Sequence, residues 1–121
     1  IAQGRRRVCC LSGGETTVTL RGKGLGGRNQ EFVLAAALAL TETPQVTIFS
    51  AGTDGIDGNT RSAGAIADPT TVARAQAFGY DPQKSLETFN ACPLFTALGD
   101  SVVTGPTGHN LRDLRILIAN G

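Results

Sequence analysis

The side chains best suited to chemistry lie in glycine-rich loops. In Arg21-Gly22-Lys23-Gly24-Leu25-Gly26-Gly27-Arg28-Asn29-Gln30-Glu31, four glycines run into polar residues at the expected start of a helix. Glycine lets a backbone approach a ligand closely, and a helix N-terminus aims unpaired N–H groups at the same point. Arg28 adds a fixed positive charge where the helix dipole disfavours one, which points to an anion or carboxylate beside it. Gly24, Gly26, Gly27, Arg28, Asn29 and Glu31 are therefore expected to line a phosphate or carboxylate site. The competing reading is a tight turn without a ligand, with Arg28 paired to Glu31 on its own helix.

The second loop, Gly52-Thr53-Asp54-Gly55-Ile56-Asp57-Gly58-Asn59-Thr60, sets two carboxylates three residues apart. Asp54 and Asp57 suit a hard divalent ion such as Mg²⁺, which often takes one or two carboxylates together with substrate phosphates. Two Asx turns, each aspartate bonding its own backbone, explain the same pattern. The third loop, Gly105-Pro106-Thr107-Gly108-His109-Asn110, carries the single histidine. His109 lacks the partners of a nucleophilic centre and reads as a surface residue. Thr107 and Asn110 could reach a ligand from this loop, and Asp113 could orient Arg112 or Arg115.

Gly22-x-Gly24-x-x-Gly27 also matches a dinucleotide-binding pattern. Asp54 lies too far along for the acidic partner expected about 20 residues on. A Walker loop is absent, because Gly22-Lys23 is followed by Gly24.

These loops need elements to hold them. Val8 to Ser12 reads as a buried strand, and Glu15 to Leu20 as a second, joined to it as a hairpin through Gly13-Gly14. Asn29 to Thr41 has apolar residues at helical spacing and is expected to stop at Pro44. Val46 to Ala51 is a nearly continuous apolar strand, as in a sheet covered on both faces. Ala63 to Asp68 is ambiguous between strand and helix. Helices are expected from Pro69 to about Phe78, Pro82 to Thr88 and Pro93 to Leu98, then strands at Ser101 to Thr104 and Leu114 to Ala119. The fold class is α/β: a mixed, largely buried sheet with helices packed on its faces and glycine-rich loops at one sheet edge.

The 121 residues suffice for one domain, and 40% hydrophobic and 17% charged residues are ordinary for a globular protein. A net charge of +1 offers no field for nucleic acid, and Arg5-Arg6-Arg7 reads as a solvated end. The longest apolar run, Phe32 to Leu40, is about half a membrane span. Cys9, Cys10 and Cys92 have no metal-type spacing; Cys9 and Cys10 read as small buried strand residues, with reduced thiols in a cytoplasmic setting. The chain starts at Ile1 and contains no Met, so residues 1–121 are expected to be part of a longer product.

Taken together, Gly13-Gly14-Glu15-Thr16, the run from Gly22 to Glu31, Gly52-Thr53-Asp54-Gly55-Ile56-Asp57-Gly58 and Thr104-Gly105-Pro106-Thr107-Gly108-x-Asn110 resemble the C-terminal, or MOFRL, domain of class II glycerate kinases. Members of that family often also carry the name hydroxypyruvate reductase. The resemblance runs from about Cys10 to Ile118. It implies ATP-dependent, Mg²⁺-assisted phosphorylation of D-glycerate in a cleft between this domain and a large N-terminal kinase domain that this chain lacks. It implies that Arg28 touches substrate or the transferring phosphate, that Asp54 and Asp57 are cleft carboxylates, and that Thr107 and Asn110 form the last wall. Phosphoryl transfer suits such a set, since it needs positioned charge and N–H donors more than a covalent nucleophile.

The chain departs from the family pattern at Arg61, where an acidic residue is usual, at Asn90, where a carboxylate is usual, and at His109, which inherits no role. The alternative is a stand-alone, diverged domain without catalysis that binds a small anion or forms a homo-oligomer.

Overall fold

The computed structural model describes residues 7–14, 24–41 and 45–120. The expected strand from Glu15 to Leu20, the far arm of the Gly13-Gly14 hairpin, the loop residues Arg21 to Lys23 and the stop at Pro44 lie outside them. The described elements are β1 (Arg7–Gly14), α1 (Arg28–Ala39), β2 (Val46–Gly52), β3 (Gly64–Ala67), α2 (Thr71–Ala77), α3 (Pro82–Glu87), α4 (Ala91–Leu98), β4 (Ser101–Val102) and β5 (Asp113–Asn120).

The α/β class holds. The strands form one sheet in the order β1-β5-β2-β3-β4. The expected mixed sheet is corrected: every described pairing is antiparallel, with no parallel neighbours among the described residues. The last strand lies inside the sheet. β5 pairs Asp113 with both Gly14 of β1 and Gly52 of β2, which brings the ends of three strands to one edge.

Strand periodicity then divides the side chains. Ile48, Ser50, Ala65 and Ala67 face α1, whose Val33, Leu34 and Ala37 are fully or almost fully buried. Ala91, Leu94 and Phe95 of α4 and Ala75 of α2 complete this core. Small residues on β3 let the helices lie close. On the opposite face, Leu114 and Ile118 of β5 and Ile66 of β3 are each about 40% exposed. The alternating exposure of β2 fits a sheet more heavily covered on one side than the other.

The ambiguous Ala63–Asp68 stretch resolves as strand β3. α2 starts at Thr71 instead of Pro69, because the Asp68 carboxylate accepts the Thr70 N–H at 2.8 Å and holds a turn there. α3 is capped by Asp81, which accepts Lys84 N–H at 3.2 Å, and Gly99 ends α4 in the left-handed region at φ 73°. One expectation fails on burial. Cys9 and Cys10 are exposed, because β1 pairs only with β5 among the described strands and no described helix covers it.

Candidate functional site

The N-terminus of α1 sits at the edge where β2, β5 and the glycine loops converge. Its N-cap residue, Gly27, has no side chain to satisfy the first-turn N–H groups. Asp57, thirty residues on, does so. Its Oδ1 accepts from Asn29 backbone N–H (3.0 Å) and Asn29 Nδ2 (3.1 Å), and its Oδ2 from Gln30 N–H (2.8 Å) and Gln30 Nε2 (2.9 Å). The anion expected at this helix start is thus the protein's own carboxylate, fully buried. With four N–H donors on two oxygens, Asp57 acts as the cap of α1. No group of three or more His, Cys, Asp or Glu side chains able to hold a metal exists among the described residues.

The glycines serve the same packing. A Cβ on Gly27 would lie 2.5 Å from the Asp57 carboxylate, and one on Gly24 would collide with the carbonyl oxygens of Thr88 and Phe89. A Cβ on Gly26 would come within 2.9 Å of Glu31 Oε1. Two asparagines then tie the loop down. Asn90 Oδ1 accepts Leu25 N–H at 2.8 Å. Asn59 Oδ1 accepts Gly26 N–H at 3.0 Å while its Nδ2 donates to Gly24 O at 3.1 Å. The close approaches of Gly24, Gly26 and Gly27 are therefore to the protein's own atoms.

Arg28 does not pair with Glu31. It forms a two-bond fork with Asp113 at the start of β5: Nε to Oδ2 and Nη2 to Oδ1, both 2.7 Å. The carboxylate side chain is fully buried and that of Arg28 is 23% exposed. Asn29 links the two buried aspartates, since its Nδ2 also reaches Asp113 Oδ1 at 3.3 Å, and its Oδ1 accepts the Ser50 hydroxyl at 2.7 Å.

Glu31 lies inside. Its Oε1 accepts Ala91 N–H at 3.4 Å, at the first turn of α4, and its Oε2 has no hydrogen-bond partner among the described residues. Burial, with a smaller contribution from the nearby Asp57 charge, pushes its carboxyl from 4.5 up to about 7.

The rim is built by the other two loops. Thr53 accepts Leu111 N–H at 2.7 Å and donates from its hydroxyl to Arg112 O at 2.7 Å. Thr107 donates to Thr53 O at 2.6 Å. Asn110 Oδ1 accepts Arg112 N–H at 3.0 Å and supports Arg112 at φ 68°, a conformation rare for a non-glycine residue. Asp54 Oδ1 accepts Ile56 N–H at 3.1 Å, an Asx turn. Arg28, Asp54, Thr107 and Asn110 thus stand at or near the surface of this edge, while Asn29, Glu31 and Asp57 are buried beneath it. His109 is exposed. A pocket of about 170 Å³ opens nearby, on the sheet face away from α1, lined by Phe49, Ala51, Val102, Thr104 and Leu114 among others. It has no charged lining and does not suit an anion.

Asp113 is the residue that sequence reasoning misplaced: it orients Arg28, not Arg112 or Arg115. The two are 85 positions apart, and only the insertion of β5 beside β2 brings them together. Ser50 and Asn59 were missed because their partners, Asn29 and the loop residues Gly24 and Gly26, lie 21 to 35 positions away.

Comparison with known proteins agrees with this architecture. Residues 8–113 match the MOFRL family. The chain is 43% identical over 112 residues to a D-glycerate 2-kinase of Thermotoga maritima, covering 93% of this chain and 27% of that protein. It is 43% identical over 110 residues to an Agrobacterium vitis protein named as a hydroxypyruvate reductase, covering 89% of this chain and 25% of the relative. The crystal structure of the Thermotoga maritima glycerate kinase superposes with a TM-score of 0.88 at 43% identity, over 92% of this chain and 27% of that one. The chain spans about a quarter of the length of these relatives. It belongs to the MOFRL family.

Proposed function

We propose that this chain supplies one wall of a glycerate kinase active site, in which ATP phosphorylates D-glycerate and Arg28 binds the substrate or the transferring phosphate. The observation that carries this reading is the Arg28 guanidinium, set by its fork with Asp113 at the edge where the three loops meet. The name of the Thermotoga relative supplies the substrate. Developing negative charge on a transferring phosphoryl group is stabilised by a fixed guanidinium that needs no reorganisation during the reaction.

Thr107 and Asn110 shape the far side of the edge. The remaining wall, and the bulk of the ATP site, belong to the three-quarters of the relatives' length that this chain does not span. Magnesium fits in a limited way. Asp54 keeps its Oδ2 outside the bond to Ile56 and can offer one carboxylate oxygen, while Asp57 is committed to α1. An ion held by Asp54 and the phosphates would neutralise phosphate charge.

Reduction of hydroxypyruvate, the activity in the Agrobacterium relative's name, is disfavoured. A nicotinamide cofactor needs glycines that admit its pyrophosphate, and Gly24 and Gly27 are closed against Thr88, Phe89 and Asp57.

The test is a coupled assay for ADP release with D-glycerate, ATP and Mg²⁺, on the full-length natural protein that carries this chain. Turnover that requires D-glycerate is expected. Its absence in a folded protein would sink the proposal.

A further inference from the structure

We infer that Asp113 is the positioning residue of this site: it sets the plane and location of the Arg28 guanidinium that meets the phosphoanion. This rests on the kinase reading above. The carboxylate is fully buried, while Arg28 lies at the boundary between core and surface. Both bonds are 2.7 Å, and together they engage the Nε–Nη2 edge. A planar fork of this kind fixes orientation as well as distance, which a single charge contact does not.

Asp113 is itself held. It begins β5, paired with Gly14 on one side and Gly52 on the other, so no side chain opposes it across either ladder. Asn29 Nδ2 reaches its Oδ1, and Asn29 is in turn fixed by Ser50 and Asp57. The chain from Asp57 through Asn29 to Asp113 and Arg28 thus couples the cap of α1 to the guanidinium. A second arginine–aspartate pair shows the contrast. Arg74 reaches Asp100 with one N–H at 2.8 Å, its side chain is 39% exposed, and it lies on α2, away from the loops.

Because Asp113 offsets the charge of Arg28, its contribution is orientation more than attraction. Loss of orientation lowers kcat, whereas loss of uniform binding raises KM.

The experiment uses the full-length natural protein with Asp113→Asn, Asp113→Glu and the control Asp100→Asn. For Asp113→Asn the expected result is a kcat lower by about 10–100-fold with KM for D-glycerate within about threefold. Asp113→Glu keeps the charge but moves the fork, and is expected to lose kcat while remaining folded. Asp100→Asn is expected to keep kcat.

In parallel, the ¹⁵Nε–H signal of Arg28 is followed by NMR, assigned by its loss in Arg28→Lys. It should be protected from exchange in the wild type, shift on titration with inorganic phosphate, and lose both properties in the Asp113 variants. Wild-type kcat in either folded Asp113 variant, or an unchanged Arg28 signal, would overturn the inference. If Asp113→Asn does not fold, Asp113→Glu decides. If the wild type phosphorylates no D-glycerate, the kinase reading fails and the phosphate titration decides alone: a shift lost in Asp113→Glu supports positioning, and no shift in the wild type refutes it.

Discussion

Asp57 and Gln30 meet at two points: Asp57 Oδ2 accepts the Gln30 backbone N–H at 2.8 Å and its side-chain Nε2 at 2.9 Å. With the matching pair from Asn29 to Oδ1, a loop between β2 and β3 supplies the cap that Gly27 cannot. Asp57→Ala should therefore destabilise the fold by about 2–4 kcal/mol, combining loss of a cap with buried donors left unpaired. Asp57→Asn should cost less, since it keeps the shape and one acceptor. Urea unfolding of both variants checks the order; equal stability of Asp57→Ala and wild type would contradict the capping role.

The same contact forbids a side chain at Gly27. Gly27→Ala puts a methyl group 2.5 Å from the Asp57 carboxylate and should cost about 1–3 kcal/mol. Gly79→Ala is the comparison. It meets no atom within 4 Å but has a φ of 88°, so only backbone strain acts, at about 1 kcal/mol. Thermal melts of the two variants should separate them, with Gly27→Ala the lower.

Glu31 makes stability depend on pH. Its folded-state value of about 7 lies above the ordinary 4.5, so the folded protein holds a proton that the unfolded chain releases. Its contribution therefore favours folding most below about pH 4.5 and weakens as pH rises, until it levels off above about 7. Glu31→Gln, which keeps the shape without the charge, should remove this slope. Urea midpoints measured from pH 5 to 8 should fall with pH in the wild type relative to the variant; parallel curves would show that Glu31 is not the source.

How much of this was legible in the sequence depends on the range of the interaction. Helix α1 followed from apolar spacing, and α4 ended at Leu98 as expected, because both are set by residues within a turn or two. The loops at one edge were legible from glycine-rich runs that follow strands. The place of β5 was not, since nothing local tells the last strand to insert between β1 and β2. That insertion brings Asp113 to Arg28 and leaves Cys9 on the edge strand of the described sheet. The glycine run illustrates the same limit. Its residues signal a close backbone approach, but not to what, and Gly24, Gly26 and Gly27 approach Phe89, Glu31 and Asp57.

The most direct measurement of the central claim is steady-state phosphorylation of D-glycerate by the full-length natural protein, wild type against Arg28→Lys. Lysine retains the charge beside buried Asp113 but cannot form the fork. A fall in kcat of about 100-fold or more is the predicted result. Wild-type kcat in the folded Arg28→Lys protein would contradict the account.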